Sequence, residues 1–213
     1  MKIGIIGASG KAGNLILKEA VSRGLEVTAI VRNAAKITEA NVRILEKDIF
    51  QLTSSDLEGL DVVVNAFSSP AGEEHQHVEA GRVLIEALKN APHTKLIVVG
   101  GAGSLFVDEE KTIKLMNTPD FPALYFPIAS NMGKNLEELQ NTKSITWTYI
   151  SPAAFFDYNG QRTGSYQLGK DNLILNQQGK SYISYADYAI AVLDEIENPV
   201  HLNQRFTVVG EAK

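Results

Sequence analysis

The sequence predicts an α/β fold built on a doubly wound parallel sheet. Short runs rich in valine and isoleucine alternate with longer helical patterns along most of the chain. Several of the short runs are apolar almost throughout, which is typical of parallel strands that helices cover on both faces. A repeated strand–helix–strand order implies right-handed crossovers, and these place the helices on the two faces of one sheet.

The individual elements follow from the same patterns. Apolar runs, mostly β-branched, predict strands over 3–6, 26–31, 42–45, 62–66, 96–99, 146–150 and 205–209. Apolar residues at three- and four-residue spacing predict helices over 12–23, 74–90, 128–141 and 185–197. Gly24 marks the end of the first helix, and Asn198-Pro199 marks the end of the last.

The segment 151–184 interrupts this alternation. It is rich in glycine and aromatic residues and has only brief strand-like pieces, such as 173–175. We interpret it as a small, loop-rich C-terminal insertion on the substrate side of the sheet, where it forms a cleft. The length of 213 residues predicts a single domain over 1–213 that includes this insertion.

Composition and charge exclude several classes of function. The net charge is −5 and no run of lysine or arginine occurs, so we expect no nucleic-acid partner. The chain has no cysteine, which rules out disulfides and thiolate metal sites and fits a cytoplasmic protein. No apolar stretch is long enough to span a membrane. His75 and His77 stand two apart on a predicted helix and so lie on different faces, which predicts no metal site. A monomer and a homodimer both remain open.

A glycine motif, GIIGASGKAG at 4–13, stands between the first predicted strand and the first predicted helix. Gly7 allows a tight turn, Gly10 lets a ligand approach the backbone, and Gly13 allows close packing of the helix. The free N–H groups and partial positive charge of a helix N-terminus suit a pyrophosphate. A tight turn without a ligand is the alternative for the glycines alone, but this context predicts a dinucleotide-binding Rossmann fold. The predicted cofactor contacts in the loop are Gly7, Ser9, Gly10, Lys11, Ala12 and Gly13.

The end of the second predicted strand indicates which dinucleotide is preferred. An acidic residue there would accept hydrogen bonds from the ribose 2′-hydroxyl of NAD(H), but the position holds Arg32. Arg32, together with Lys11 in the phosphate loop, would attract a 2′-phosphate, since a charge-assisted contact contributes roughly 1.5–3 kcal/mol. NADP(H) is therefore the preferred cofactor. Arg32 could instead stack on adenine or face solvent, and NAD(H) remains an alternative.

Further segments carry a family resemblance: KDI at 47–49, VVNAF at 63–67, VVGGAGSL at 98–105, SPAAFFDYNGQRTGSYQLGKDNL and SYISYADYAIAVLDEIE. With GASGKAG and AIVRN, they resemble the atypical short-chain dehydrogenase/reductases, in particular the NADH-flavin reductase-like group. The resemblance covers nearly the whole chain. It implies an acidic contact beside adenine and a strand end along the ribose and nicotinamide. The cofactor contacts that it adds are Asp48, Ile49, Asn65, Ala66, Phe67, Gly100, Pro152 and Phe155.

One position departs from the pattern of that superfamily. Its oxidoreductases use a tyrosine four residues before a lysine, and this tyrosine donates a proton to a carbonyl as hydride arrives. Lys134 and Ser104 occupy the lysine and serine positions, but residue 130 is a serine and Tyr125 lies too far upstream. Ordinary ketone reduction is therefore disfavoured. Ser104 and Lys134 are the catalytic candidates, for positioning the nicotinamide ribose or a substrate oxygen; alternatively Ser104 closes a turn and Lys134 faces solvent.

Hydride transfer to a flavin avoids the need for that tyrosine. N5 of FMN or FAD accepts hydride directly, so catalysis rests on holding nicotinamide and flavin face to face. Phe155, Phe156, Tyr158 and Tyr166 form either a stacking wall for such an acceptor or part of the core. We therefore predict an NADPH-dependent oxidoreductase whose partner is a small flavin or quinone-like acceptor. The alternatives are a non-catalytic NADP(H)-sensing regulator and, least favoured, an epimerase or dehydratase of nucleotide sugars.

Overall fold

The computed structural model describes residues 1–212. The strands are β1 Lys2–Ile6, β2 Glu26–Val31, β3 Arg43–Glu46, β4 Val62–Asn65, β5 Lys95–Val99, β6 Thr146–Ser151, β7 Phe155–Asp157, β8 Gln167–Gly169, β9 Tyr182–Ser184 and β10 Gln204–Val209. The α-helices are α1 Lys11–Ser22, α2 Ser54–Leu57, α3 Gln76–Leu88, α4 Phe126–Asn141 and α5 Tyr185–Glu197.

Eight strands form one sheet in the order β3-β2-β1-β4-β5-β6-β10-β8. Every neighbouring pair is parallel except β10 and β8, which run antiparallel. The direction of winding reverses at β1, which has β2 on one side and β4 on the other. The predicted fold class, a doubly wound Rossmann sheet, is confirmed. β7 and β9 pair with each other outside this sheet.

Helices cover both faces of the sheet and create two apolar clusters. On one face α1 and α5 pack against each other and against the sheet, and Leu17 and Val192 are fully buried there. On the other face α3 and α4 pack together, and Leu84 and Leu139 are fully buried. Successive residues of a strand point to opposite faces, so neighbouring apolar residues of β1 join different clusters. This two-sided burial explains why the central strands are apolar almost throughout.

The carboxyl ends of the parallel strands meet at one edge of the sheet. The loop after β1 lies at this edge between the ends of β2 and β4. Open α/β sheets bind ligands in the crevice at such an edge, where the order of the strands reverses. The fold therefore places the glycine motif at the position where a ligand is expected.

Outside the insertion every predicted strand and helix is observed, but the four-residue helix α2, Ser54–Leu57, was missed. α3 begins at Gln76 and α4 at Phe126, each two residues from the predicted start. The strand-like piece predicted at 173–175 is wrong: Leu173 N–H donates to the Phe106 carbonyl (2.8 Å) and Phe106 N–H to the Asp171 carbonyl (2.9 Å), but these bonds form an isolated bridge and not a strand. β7, β8 and β9 were missed because each spans three residues, too few for a recognisable period of two.

The segment 151–184 thus contains three short strands and the loops between them. That it forms a cleft, and that 1–213 is one domain, stay predictions. Among the helices within residues 1–212, none combines the length and the apolar character needed to cross a membrane.

Candidate functional site

The glycine loop connects β1 to α1, and the surroundings of Gly7, Gly10 and Gly13 give a steric reason for a glycine at each position. Gly7 has a φ of +72°, and a Cβ on it would lie 2.5 Å from the carbonyl oxygen of Ala66. A Cβ on Gly13 would clash with the Gly7 carbonyl, because α1 packs directly on the turn. A Cβ on Gly10 would meet only the Gly7 carbonyl, at 3.1 Å, so the outer side of the loop is open. This open side is where a ligand can approach the backbone.

Among the residues described, no side chain caps the first turn of α1. Gly10 is the N-cap residue, and its carbonyl accepts a hydrogen bond from Asn14 N–H (2.9 Å). The first N–H groups of a helix lack partners within the helix and carry a partial positive charge. Ser9 and Gly10 are exposed beside them. The loop therefore presents backbone donors suited to a phosphate.

A pocket opens beside this loop, at the carboxyl ends of β1, β2 and β4. The predicted cofactor residues that line it are Gly7, Ser9, Gly10, Arg32, Asp48, Ile49, Ala66 and Phe67. Its other lining residues are Ile6, Ile30, Val31, Asn33, Lys36, Lys47 and Ser68. Apolar strand ends form the floor and polar loops form the rim, a combination that suits a nucleoside with attached phosphates.

The pocket is lined by three cationic residues. Lys47 Nζ lies 2.7 Å from Asp56 Oδ2, so its charge is already paired with a carboxylate. Arg32 directly follows β2, and Lys36 ends the next turn; both are exposed at the pocket rim. Arg32 and Lys36 are thus the two cations that remain accessible to an anionic ligand.

Lys36 was missed by the sequence reasoning. It ends a short 3₁₀ turn, Ala34–Lys36, which begins where Asn33 Oδ1 accepts a hydrogen bond from Ala35 N–H (3.0 Å). An asparagine just after a strand end favours such a turn, so this spacing was the available signal. The turn brings a second cation back toward the strand end that carries Arg32.

Asp48 and Asn65 use their side chains to shape the loops around the pocket. Asp48 Oδ1 accepts a hydrogen bond from Phe50 N–H (3.0 Å) and begins the turn that contains buried Ile49. Asn65 Oδ1 accepts one from Phe67 N–H (3.1 Å). Asp48 lines the pocket, whereas Asn65 is buried and is not one of the lining residues.

An aromatic cluster supports the wall formed by Phe67. The ring of Phe67 meets that of Phe50 edge-on, with centroids 5.7 Å apart, and that of His77 at 5.5 Å. His77 is 9% exposed, and its Nε2 has no hydrogen-bond partner within residues 1–212. Burial lowers the pKa of His77 to about 4, although the nearby Glu74 carboxylate opposes the shift. The imidazole is therefore neutral near pH 7 and packs as an apolar ring.

Gly100 lies at the end of β5, away from the pocket lining. A Cβ there would clash with the ring of Tyr149. The Tyr149 hydroxyl accepts a hydrogen bond from Gly101 N–H (3.1 Å) and donates one to the Met132 carbonyl (3.3 Å). Burial raises the pKa of Tyr149 to about 12, so the hydroxyl keeps its proton. Close packing against Tyr149 is thus sufficient to explain the glycine.

Pro152 and Phe155 follow β6, the strand next to β5. Pro152 is buried, whereas Phe155 is 62% exposed, with its ring centroid 5.7 Å from that of Tyr182. Neither residue lines the pocket beside the glycine loop. The structure thus places predicted contacts in two groups, one at β1, β2 and β4 and one at β5 and β6.

Ser104 belongs to a buried polar cluster. Its hydroxyl accepts a hydrogen bond from Arg205 Nη1 (3.3 Å), and Arg205 Nε donates to Asp171 Oδ1 (2.9 Å). Burial alone would raise the pKa of Asp171, but hydrogen bonds from Arg205 and Lys111 lower it below its ordinary value. Ser104 is 4% exposed, so its hydroxyl is committed to this interior network.

The other catalytic candidate, Lys134, is exposed on α4. Ser130, four residues earlier, lies on the same side of this helix and is half-buried. Gly133 packs toward Ser104, with its Cβ position 3.8 Å from Ser104 Cβ. The roles predicted for Ser104 and Lys134 stay predictions.

Lys11 is exposed at the start of α1 and is not among the residues that line the pocket. Its Nζ lies 5.3 Å from the centroid of the Tyr158 ring. Tyr158 meets Tyr185 edge-on at 5.7 Å, and Tyr185 stacks on Phe156 at 3.6 Å with 7° between the ring planes. Of the predicted aromatic wall, Phe156 and Tyr166 pack against the core, whereas Phe155 and Tyr158 are exposed. Ala12 and Gly13 complete the first turn of the helix.

Comparison with known proteins identifies the family. A family model described as NAD(P)H-binding matches residues 7–199. The chain belongs to this NAD(P)H-binding family. The match covers the glycine loop, the pocket and most of the sheet, and it supports binding of a nicotinamide cofactor.

Relatives extend over the whole chain. The uncharacterized protein YwnB of Bacillus subtilis (strain 168) is 69% identical over 213 residues, which is 100% of both chains. A solved structure from Streptococcus pneumoniae TIGR4, provisionally named an NADH-flavin reductase, is 40% identical with a TM-score of 0.94, covering 99% of this chain and 100% of that one. The NAD(P)H azoreductase of Xenophilus azovorans is 24% identical, covering 97% of this chain and 67% of that protein.

These findings confirm the predicted resemblance to atypical short-chain dehydrogenase/reductase-like NAD(P)-binding proteins. They also support the general assignment as an NAD(P)H oxidoreductase.

Proposed function

We propose that the protein is an NADPH-dependent reductase that transfers hydride to a flavin or a similar planar acceptor. The observation that carries the cofactor half of the proposal is the pair of accessible cations, Arg32 and Lys36, at the rim of a pocket beside the glycine loop. Bound NADPH would supply the hydride. The backbone N–H groups of the glycine loop would hold its pyrophosphate, and Arg32 and Lys36 would hold its 2′-phosphate.

The preference for NADP(H) over NAD(H) follows from charge. The end of β2 carries Arg32 where an NAD-binding site carries an acid. Asp48, which also lines the pocket, accepts a hydrogen bond from Phe50 N–H with one of its carboxylate oxygens. A 2′-phosphate carries close to two negative charges, so each cation adds a charge-assisted contact that the 2′-hydroxyl of NADH cannot make equally well.

Arg32→Glu tests this assignment. We expect the Kd for NADPH to rise roughly 10- to 100-fold, since one charge-assisted contact of about 1.5–3 kcal/mol is replaced by repulsion, and the Kd for NADH to change far less. Arg43→Glu is the matched control, because Arg43 is exposed at the start of β3, the opposite end of that strand from the pocket. Calorimetry with both coenzymes gives the answer; equal weakening for NADPH and NADH by Arg32→Glu would contradict the assignment.

The acceptor half of the proposal rests on the groups that stand near β5 and α4. Position 130 offers a serine hydroxyl, and the Ser104 hydroxyl is held by Arg205. Neither is the acidic phenol that carbonyl reduction requires. A flavin accepts hydride at N5 without such a donor, so holding the two rings in contact is sufficient for the reaction. The NADH-flavin reductase and azoreductase names of the relatives support the same class of acceptor.

Turnover under anaerobic conditions tests the reaction. Purified protein, NADPH and FMN are mixed, and loss of absorbance from the reduced nicotinamide is followed, with FAD, a quinone and an azo dye as further acceptors. We expect oxidation of NADPH well above the rate without protein for at least one of them. No oxidation with any of the four acceptors would refute the reductase.

A non-catalytic NADP(H)-sensing regulator is the second candidate, and it is favoured by the commitment of the Ser104 hydroxyl to the buried network. Tight NADPH binding with no turnover of any acceptor would support this candidate over the first. Under either proposal we expect a cytoplasmic protein that is a monomer or a homodimer. For the reductase, we also propose that residues 151–184 form the acceptor side of the cleft.

A further inference from the structure

Residues 158–165, between β7 and β8, form a strap that is tied to α1. The first tie is the Lys11 ammonium, 5.3 Å from the centroid of the Tyr158 ring. The second is the ion pair between Arg162 Nη2 and Glu19 Oε2, at 3.1 Å. The strap therefore contacts α1, the helix that begins at the end of the glycine loop.

A third tie joins the strap to α5. Buried Asp187 accepts hydrogen bonds from the backbone N–H groups of Thr163 and Gly164, both at 2.9 Å, and from the Thr163 hydroxyl at 2.8 Å. Arg162 and Asp187 thus hold the far end of the strap. Tyr158, at the near end, is 49% exposed and is held through Lys11 and Tyr185.

The charge of Lys11 has an unusual partner. Within residues 1–212, the lysines that pair with carboxylates are Lys18, Lys47, Lys89, Lys111 and Lys114. Lys11 instead meets the face of an aromatic ring. A ring attracts a cation without neutralising it, and an ammonium keeps N–H donors for a second partner. Lys11 is thus held in place while its charge remains available.

We propose that Tyr158 is a positioning residue that holds the Lys11 ammonium at the mouth of the glycine loop, ready to meet the pyrophosphate of the cofactor. This inference rests on the proposed binding of NADPH at that loop. A lysine side chain loses much rotamer freedom when it binds an anion, and a lysine already restrained by a ring loses less. Tyr158 therefore raises cofactor affinity without touching the cofactor.

The same contact links the cofactor to the acceptor side. Tyr158 meets Tyr185 edge-on, Tyr185 stacks on Phe156, and Phe156 is adjacent to exposed Phe155. A pyrophosphate that fixes Lys11 also fixes Tyr158, and with it the strap and β7.

Affinity for NADPH alone, measured by calorimetry, tests the role of Tyr158 without any turnover. A cation–π contact at an exposed site corresponds to about a two- to fivefold change in affinity, so Tyr158→Leu should raise the Kd by that factor. Tyr158→Phe keeps the ring and should stay near the wild-type Kd. Lys11→Met should weaken binding, and adding Tyr158→Leu to it should have no further effect. Tyr125→Leu, which removes a tyrosine of similar exposure at the start of α4, should leave the Kd unchanged.

Hydrogen exchange provides a second measurement. The effect of NADPH on it would not depend on Tyr158 if this residue had only a structural role. NADPH should slow exchange of the Thr163 and Gly164 amides in the wild-type protein, and this slowing should be lost in Tyr158→Leu. Wild-type Kd values for Tyr158→Leu, or equal slowing in both proteins, would overturn the role of Tyr158 while leaving nucleotide binding intact. A wild-type protein that binds neither coenzyme would overturn the proposed function, and this inference with it.

Discussion

Removing the buried imidazole of His77 should flatten the pH dependence of stability. His77 has a pKa lowered from 6.5 to about 4 by burial. The unfolded chain therefore takes up a proton between these pH values that the folded protein does not, and stability falls as pH decreases through this window. Linkage gives a loss of about 2 kcal/mol between pH 7 and pH 5, and about 3 kcal/mol below pH 4.

His77→Leu removes both the titrating group and the unpartnered Nε2. At pH 7 the free energy of unfolding should change by less than about 1 kcal/mol, because the lost ring contact with Phe67 is offset by the loss of an unpaired buried polar atom. At pH 5 the variant should be more stable than the wild-type protein by about 1–2 kcal/mol. The window above pH 5 avoids most titration of carboxylates.

Urea unfolding at several pH values, followed by the fluorescence of Trp147, measures this effect. Trp147 is the single tryptophan and is 3% exposed in the same apolar cluster as α3, so its emission reports global unfolding. His93→Leu is the control, because it removes an exposed imidazole. If His77→Leu lost as much stability between pH 7 and pH 5 as the wild-type protein, the imidazole would not be the source of the pH dependence and the reasoning would fail.

Two further predictions concern the glycine loop and the insertion. Gly13→Ala should weaken NADPH binding more than tenfold and lower the free energy of unfolding by about 2 kcal/mol, because its Cβ would clash with the Gly7 carbonyl. Gly10→Ala should also weaken NADPH binding, but it should change the free energy of unfolding by less than about 1 kcal/mol. Equal losses of stability in the two variants, measured by urea unfolding, would contradict this difference. Asp187→Ala should cost about 3 kcal/mol, because it leaves two backbone N–H groups of the strap without an acceptor. Asp187→Asn keeps an acceptor and should cost less than half as much; an equal cost would argue against these hydrogen bonds.

The sheet and the glycine loop were predictable because their signals are local. Two-sided burial makes the central strands apolar, and the steric demands on Gly7 and Gly13 come from residues within a few positions of the loop or from the next strand in the sheet. Arg32 was found because it directly follows a strand whose end is fixed by the fold. These features depend on chain order, which the sequence displays directly.

The remaining site features depend on contacts between distant residues. Ser104 and Arg205 are 101 positions apart, and no local pattern connects them. The contact of Lys11 with Tyr158 likewise joins the first helix to the insertion. Contacts between residues so far apart in the sequence form only when the sheet has assembled. The sequence therefore indicated candidate site residues by their type, but it did not indicate which residues they contact.

The place of β10 in the sheet has a consequence for how the protein is made. This strand, residues 204–209, follows β6, β7, β8 and β9 in the sequence, yet it lies between β6 and β8 in the sheet. While the nascent chain is still being translated, the backbone groups of β6 on that side have no neighbour, and an unpaired strand edge invites aggregation. A premature stop codon shortly before residue 204 should therefore yield an insoluble product, although every residue of the glycine loop would be present.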